Sequence, residues 1–499
     1  MDHHVNRDED FTASSTNLLG DIDDQEDEQS TVSEIPERKT PFLTVEPAIL
    51  IIFFGWNLAS PVFTNLVVYQ TCTVLLGFNE SDCRQLGTAD ESEFIQNLEQ
   101  QVQPYTAKII MVRSMIEQIV PAICSLFLGP WSDKFGRKPL LYACFAGYFC
   151  VYLILSILAF VSTKVALSPW FYILAYGPVM LSGGTCALIT GVFCTITDVT
   201  TEKNRAIRMG IIEGVLFAGL FLGSISSSYI LQLTNSSTVF AISALACLSS
   251  LLYVVFFLAE TVKINEEFQG SKFRELFRFD HVCDMVKTSF KARPHYRRAI
   301  IWLAIFGLVM SLSIGEGLMT VFFLFTRAKF GWTIREYTVY ESVSIVVMIC
   351  GSIAALWILK KIFRMSDAML ASLAYASDTL QNFVRTLATR PRDLYIGVGF
   401  GILKSISGPM GRAVISNVTP PDEIGRVFSL VTALESISPI GSAPLYTMIY
   451  SNTIATFPSA FNAVSTAGCF LCLITMLVAY ILEQGLPHVP YTQLIHRNA

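Results

Sequence analysis

The feature that most constrains this chain is a succession of apolar blocks, each about 20 to 25 residues long, running from Pro47 almost to the C-terminus. A helix needs roughly 20 apolar residues to cross a hydrocarbon layer about 30 Å thick. The expected fold class is therefore an all-α polytopic membrane protein embedded in a lipid bilayer. Composition agrees: 52% of the 499 residues are hydrophobic and 15% are charged, where soluble domains carry about 25% charged residues. An ordinary soluble enzyme is excluded on that ground. The formal charge of −5 says little, because acidic residues crowd the first 46 positions. No basic tract points to nucleic acid. Met1 to Leu18 has neither an apolar run nor a basic flank, so no cleavable signal peptide is expected.

Twelve spans are predicted, at 48–72, 106–130, 139–162, 169–196, 206–232, 238–259, 299–325, 339–359, 367–388, 394–416, 426–450 and 459–482. Lys and Arg concentrate in alternate connections. The 260–298 segment alone holds Lys263, Lys272, Arg274, Arg278, Lys287, Lys291, Arg293, Arg297 and Arg298. Basic loops stay on the cytoplasmic side, so both termini are expected there. The expected organisation is an acidic disordered tail (1–46), a first six-helix bundle (47–259), a basic linker (260–298), a second bundle (299–483) and a short cytoplasmic tail (484–499).

Sequons at Asn79 and Asn235 fall in loops assigned to the outside, where glycans are added, whereas Asn417 falls at a cytoplasmic helix end. Cys72 and Cys83 are the one cysteine pair at that oxidising outer side, as a disulfide or as two free thiols. The halves also repeat faintly. Asp198-Val199-Thr200 followed by Glu202-Lys203-Asn204-Arg205 returns about 220 residues later as Asn417-Val418-Thr419 followed by Glu423-Ile424-Gly425-Arg426. Duplicated halves with a site between them are common in secondary transporters.

Between the second and third spans lies Gly129-Pro130-Trp131-Ser132-Asp133-Lys134-Phe135-Gly136-Arg137-Lys138-Pro139. Gly136 permits a tight bend, Pro139 can start a helix, and Asp133 can accept hydrogen bonds from helix-end amides. The turn reads as a charged latch between the halves, or as a topogenic loop in which Arg137 and Lys138 only fix orientation. Its spacing resembles the G-x-x-x-D-x-x-G-R-K signature of the major facilitator superfamily. Within it the chain resembles solute carrier family 46, the group of the proton-coupled folate transporter. That likeness rests on Val45-Glu46-Pro47, Gly129-Pro130-Trp131-Ser132-Asp133, Arg208-Met209-Gly210-Ile211-Ile212-Glu213, Gly411-Arg412-Ala413 and Gly425-Arg426-Val427-Phe428-Ser429. It implies two six-helix halves, alternating access and a small anionic solute moved with protons: folate-like, a muropeptide, a cyclic dinucleotide or a sulfated steroid. It also ties Arg412 and Glu213 to substrate and proton coupling.

Charges at bilayer depth cost several kcal/mol unless paired or wet, so they mark candidate sites. Arg113 and Glu117 are spaced to pair on one helical face, as a site or as a structural ion pair. Lys404 and Arg412 put two cations on the tenth span with no acid at i+3 or i+4, which suits an anion. Arg113 and Asn57 complete the expected substrate contacts. All six histidines lie outside the spans, leaving Glu213, Glu117, Glu316 and Glu435 as proton carriers. Asp133, Gly136, Arg137, Lys138 and Arg426 form the expected gate. Gly and Pro interrupt the fourth, tenth and eleventh spans, as hinges or as close-packing positions.

Tyr491-Thr492-Gln493-Leu494 has the form of a sorting signal for adaptors, and the plasma membrane or the lysosomal membrane is the expected location. No motif for a metal, a cofactor, hydrolysis or a nucleotide pump is present, so an enzyme is not expected. The rival class is a non-transporting receptor or scaffold on a transporter fold, which has no need of Glu213, Lys404 and Arg412 together.

Overall fold

The computed structural model describes residues 45–86, 93–200, 202–261, 287, 290–293, 295–420 and 423–485. The acidic tail, most of the linker and the C-terminal tail lie outside them, and with them Cys283, Tyr491 and all histidines but His295.

Among the described residues, helical segments occupy all twelve expected positions. They are α1 (Glu46–Gln70, continued by a π turn at Thr71–Leu75), α2 (Glu93–Phe135) and α3 (Arg137–Val161). Then α4 is built from a 3-10 turn (Pro169–Tyr176), a short helix (Gly177–Leu181) and a longer one (Gly184–Val199). There follow α5 (Glu202–Leu233), α6 (Ser236–Phe257), α7 (Arg297–Phe330), α8 (Ile334–Ala355, continued by a π turn at Leu356–Ile362) and α9 (Asp367–Leu387). Next, α10 joins Pro391–Phe400, a 3-10 turn at Lys404–Ile406, and Ser407–Val418. Last come α11 (Ile424–Thr453) and α12 (Ala460–Gln484). Eight segments are long and apolar enough to cross a membrane by length and composition. The other four, α2, α9, α10 and α11, carry Arg113 and Glu117, Asp378 and Arg385, Lys404 and Arg412, and Glu435, and α10 is broken into short pieces.

Helix starts follow local chemistry. Asn235 accepts from the Thr238 amide (2.9 Å) to cap α6, and Ser366 accepts from Met369 (3.3 Å) to cap α9. Pro47 and Pro391 occupy the first turns of α1 and α10, where a missing N–H costs nothing. The break in α4 falls at Gly183 and Gly184 (φ 89° and 57°), left-handed conformations that glycine adopts without penalty.

Helices α1 and α12 begin and end on one side, here called the terminal face. The Cys72–Cys83 loop lies on the opposite, far face. Three hydrophobic clusters organise the interior. One, with Phe63, Phe145, Tyr172 and Phe240, lies within the first six helices, and another, with Ile301, Tyr375 and Met476, lies within the last six. The third joins Cys72, Leu98 and Val102 of the first half to Phe325, Tyr450 and Phe461 of the second, at the far face.

Candidate functional site

The charges expected at mid depth converge on the space between the halves. On α2, Arg113 Nε donates to Glu117 Oε2 at 2.9 Å, one helical turn along. The Arg113 guanidinium lies over the rings of Phe63 (4.9 Å) and Tyr176 (4.8 Å), a cation–π arrangement that fixes its plane. Glu316 enters from α7 within electrostatic reach of both Glu117 and Arg113. From α10, Arg412 Nη2 donates to both oxygens of Glu435 on α11, at 2.8 and 2.7 Å. Cys186, just after the break in α4, accepts from Ser436 Oγ at 3.3 Å and stands near Glu316 and Glu435. Glu213 on α5 faces Arg412 and is exposed to the inter-half space.

Arg113, Glu117, Glu316, Glu435, Arg412 and Glu213 thus form one belt, with four carboxylates against two guanidinium groups. Both guanidinium groups are engaged, by Glu117 and Glu435. The carboxylates of Glu213 and Glu316 hold no hydrogen bond or ion pair among the described residues. Such a belt can bind an anion at an arginine once its carboxylate partner lets go, and can carry protons on the carboxylates left over.

One expectation is corrected. Lys404 and Arg412 are not uncompensated: Lys404 Nζ sits 3.2 Å from Asp378 Oδ1 of α9, and Arg412 is held by Glu435. Both partners come from neighbouring helices, which spacing along one helix does not reveal. Asn57 is buried and donates to the Leu220 carbonyl at 2.7 Å, tying α1 to α5. At the turn after α2, bonds between described residues bind it to α4 and α6 of its own half. Gly136 (φ 104°) makes the bend, and a Cβ there would run into the Glu260 carboxylate. Glu260 accepts from the Arg137 and Lys138 amides at 2.8 and 3.0 Å, capping α3 from beyond the end of α6. Arg137 Nε donates to Asp198 Oδ2 at the end of α4 (3.1 Å), and Lys138 Nζ donates to the Val255 carbonyl (2.9 Å). These bonds staple the first half to itself. The side chains of Asp133 and Arg426 lie outside the described residues.

The repeat is visible in the backbone. Helices α4 and α10 end alike: Thr200 Oγ1 donates to Ile196 O and Thr419 Oγ1 to Ile415 O, both at 2.7 Å. Asp198 then reaches the start of α3, while its counterpart Asn417 donates to Asp367 at the start of α9 (3.1 Å). Glu46 and Arg208, quoted above from separate segments, meet at 2.9 Å. Glu423 accepts from Lys291 (2.6 Å) and Arg293 (2.7 Å), tying the end of the linker to the α10–α11 junction. Burial works against its ionisation, but those bonds outweigh it and hold the Glu423 carboxyl below the usual carboxylate range.

A second constellation escaped the sequence reading. At the far face, Arg327 of α7 donates to Glu99 Oε1 (2.9 Å), to Asn65 Oδ1 (2.7 Å) and to the Leu86 carbonyl. Gln103 donates to Glu99 Oε2 (2.5 Å) and accepts from Tyr450 of α11 (3.0 Å). Arg327 and Glu99 are both under a tenth exposed, so this is a buried ionic seal across the halves. Cys72 and Cys83 form a disulfide beside it, with Cα atoms 5.8 Å apart. Asn79 and Asn235 are exposed at the same face. An apolar groove of roughly 550 Å³ between α7 and α12 is lined by Trp302, Phe306, Leu471 and Val478, without charge, away from the belt.

The model of the Major Facilitator Superfamily matches residues 45–381. A Drosophila melanogaster protein named as a probable peptidoglycan muropeptide transporter SLC46 is 33% identical over 426 residues, covering 84% of this chain and 82% of that one. The chain belongs to solute carrier family 46 of the major facilitator superfamily. The proton-coupled folate transporter of Rattus norvegicus is 24% identical, over 90% of this chain and 94% of its own. Among solved structures, a POT family transporter in complex with a thioalcohol-conjugated peptide superposes with a TM-score of 0.60 at 12% identity, covering 88% of this chain and 96% of that one. A D-xylose–proton symporter gives 0.59 at 12% identity, covering 89% and 97%. The major facilitator fold is therefore the frame in which the belt sits: a family 46 chain with its charges between two helical halves.

Proposed function

We propose that this family 46 member is a secondary active transporter of an organic anion, coupled to protons, working by rocking of the two halves about the mid-depth belt. The observation that carries this reading is the belt itself: two cations, each held by one carboxylate, with Glu213 and Glu316 left over beside them. An incoming anionic group takes over Arg412 from Glu435, and protons on the freed or unpaired carboxylates keep the buried charge balanced. Lys404, with Asp378 beside it, offers a second cation near the break in α10. Interrupted helices in corresponding positions of two halves commonly frame a transporter site, and α4 and α10 are such a pair. In this reading the terminal face is cytoplasmic, in line with the basic linker. The far face is lumenal or extracellular, where Cys72–Cys83 stays oxidised and Asn79 and Asn235 carry glycans.

The relatives' names supply the substrate panel: folate, a muropeptide and a steroid conjugate, with a cyclic dinucleotide added. Uptake of each labelled compound is measured in expressing cells at pH 5.5 and 7.4, with and without a protonophore. Saturable uptake of one anion that is faster at pH 5.5 and collapses with the protonophore supports the proposal. Protein present at the cell surface that moves none of them sinks it.

A further inference from the structure

Glu341, on α8 two turns in from the far face, takes no part in the belt or in the Arg327 seal. It meets α5 of the other half: Ser224 Oγ lies 2.6 Å from Glu341 Oε2 and 3.1 Å from the Thr338 carbonyl. Ser224 is fully buried. A serine hydroxyl has one hydrogen and here faces two acceptors. The Thr338 carbonyl also accepts from Ser342 (2.7 Å). The shorter contact lies within the range of a strong O–H···O bond.

No cation among the described residues bonds Glu341. Tyr337, on α8 itself, stands near Glu341, and Tyr340 of α8 and Arg385 of α9 stand near Tyr337. Arg385 donates to the Tyr340 hydroxyl (2.9 Å) and lies over the Phe322 ring, with its Nε unbonded. At the far end of the seam, Arg335 lies over Tyr229 of α5 (5.6 Å). On α5 the nearer acid, Glu213, lies eleven residues from Ser224 toward the terminal face, about 16 Å along the helix. Carboxylate charge at this seam would stand uncompensated between two halves packed together, an arrangement that costs several kcal/mol.

We infer that Glu341 is a proton-binding site that locks the α5–α8 seam: the carboxylic acid donates to Ser224 Oγ, and Ser224 donates onward to the Thr338 carbonyl. Glu341 is partly exposed in this closed seam; when the far face opens, water surrounds it, the acid O–H bond breaks, the proton passes to water, and the carboxylate left behind resists closure until it is reprotonated. This extends the proton-coupled reading, but its test needs no transported substrate.

The test places a thiol reporter in the seam. Ser228, one turn beyond Ser224 and likewise fully buried, is replaced by cysteine in the full-length chain. The purified protein is placed in lipid nanodiscs and labelled with a water-soluble maleimide at pH 5.5 and 7.5. Modification of position 228 is quantified by peptide mass and corrected for the intrinsic pH dependence of the reagent. The expected result is slow labelling at pH 5.5 and faster labelling at pH 7.5, rising by up to about tenfold per pH unit as for a single titrating group. In Glu341→Gln, whose neutral amide mimics the acid, labelling stays slow at both values. In Ser224→Ala, which keeps the carboxyl but removes its acceptor, labelling is fast at both. A Glu341→Gln protein that retains the parent's pH response, or that labels fast at both values, overturns the inference. So does a parent with no pH response. Loss of uptake for every anion with this pattern intact would sink the transport reading alone.

Discussion

The two faces of the molecule hold themselves together in opposite ways. At the far face the polar bonds cross between halves: Arg327 to Glu99 and Asn65, Tyr450 to Gln103, Ser224 to Glu341. At the terminal face the bonds between described residues include Arg137 to Asp198, Glu46 to Arg208, Glu423 to Arg293 and Asn417 to Asp367, each tying parts of one half together. Between described residues, the cross-half hydrogen bond nearest the terminal face is Ser436 to Cys186, about 18 Å in from the start of α11 at 1.5 Å per residue. Below it, Arg412 is 45% exposed and Glu213 faces open space. In the transport cycle proposed above, the far-face bonds are a seal that must break for the halves to rock. In the same cycle the terminal-face bonds are staples that keep parts of one half together.

Breaking the seal carries the largest expected effect. Arg327→Ala leaves Glu99 buried without its cation, a loss of about 3–5 kcal/mol, and is expected to lower the thermal midpoint of the purified protein and to raise far-face labelling at position 228. An unchanged midpoint would show that the seal is ornamental. Arg412→Ala sharpens the comparison from the open side: with its exposed guanidinium gone, anion binding is expected to weaken by about 3 kcal/mol, roughly a hundredfold. Uptake should vanish while surface protein is preserved. Glu213→Gln is expected to flatten the pH dependence of uptake, and retained acid stimulation would remove Glu213 from the coupling scheme.

Staples are expected to matter less, and only for stability. Gly136→Ala forces a left-handed conformation costing about 1–2 kcal/mol and pushes against Glu260. It should lower the thermal midpoint without changing far-face labelling. The smallest effect is a matter of pH. The Glu423 carboxyl is held below its ordinary range, so the stability it contributes is fully present above the unfolded carboxylate value and fades as pH falls through the lowered one. The midpoint difference between the parent and Glu423→Gln, followed from pH 7 to pH 3.5, should shrink toward the acid end.

Apolar block length made the fold legible: each predicted span coincides with a helical segment, most of them within a few residues at either end. The largest miss is the start of α2, predicted at 106 and found at Glu93. The stretch from Glu93 to Gln103 is polar by hydropathy, yet Ile95, Leu98 and Val102 recur at helical spacing and are all buried. That same stretch presents Glu99 and Gln103 to the seal, so reading it as a loop hid the seal. The belt was legible because a charge at bilayer depth stands out whatever it faces. Its pairings were not, since Glu435 reaches Arg412 and Asp378 reaches Lys404 from different helices, and one-helix spacing reports only pairs such as Arg113–Glu117.

The far-face loop gives the molecule an order of assembly. Arg327 completes its set of bonds on the carbonyl of Leu86, three residues past Cys83, and Cys83 is tethered to Cys72 at the end of α1. Until that bridge forms, the acceptor belongs to a free loop and the guanidinium lacks part of its nest. Inserting twelve helices is then not enough to finish the protein. Reduction of the bridge is therefore expected to loosen the lock, and an oxidising environment on that side to complete it.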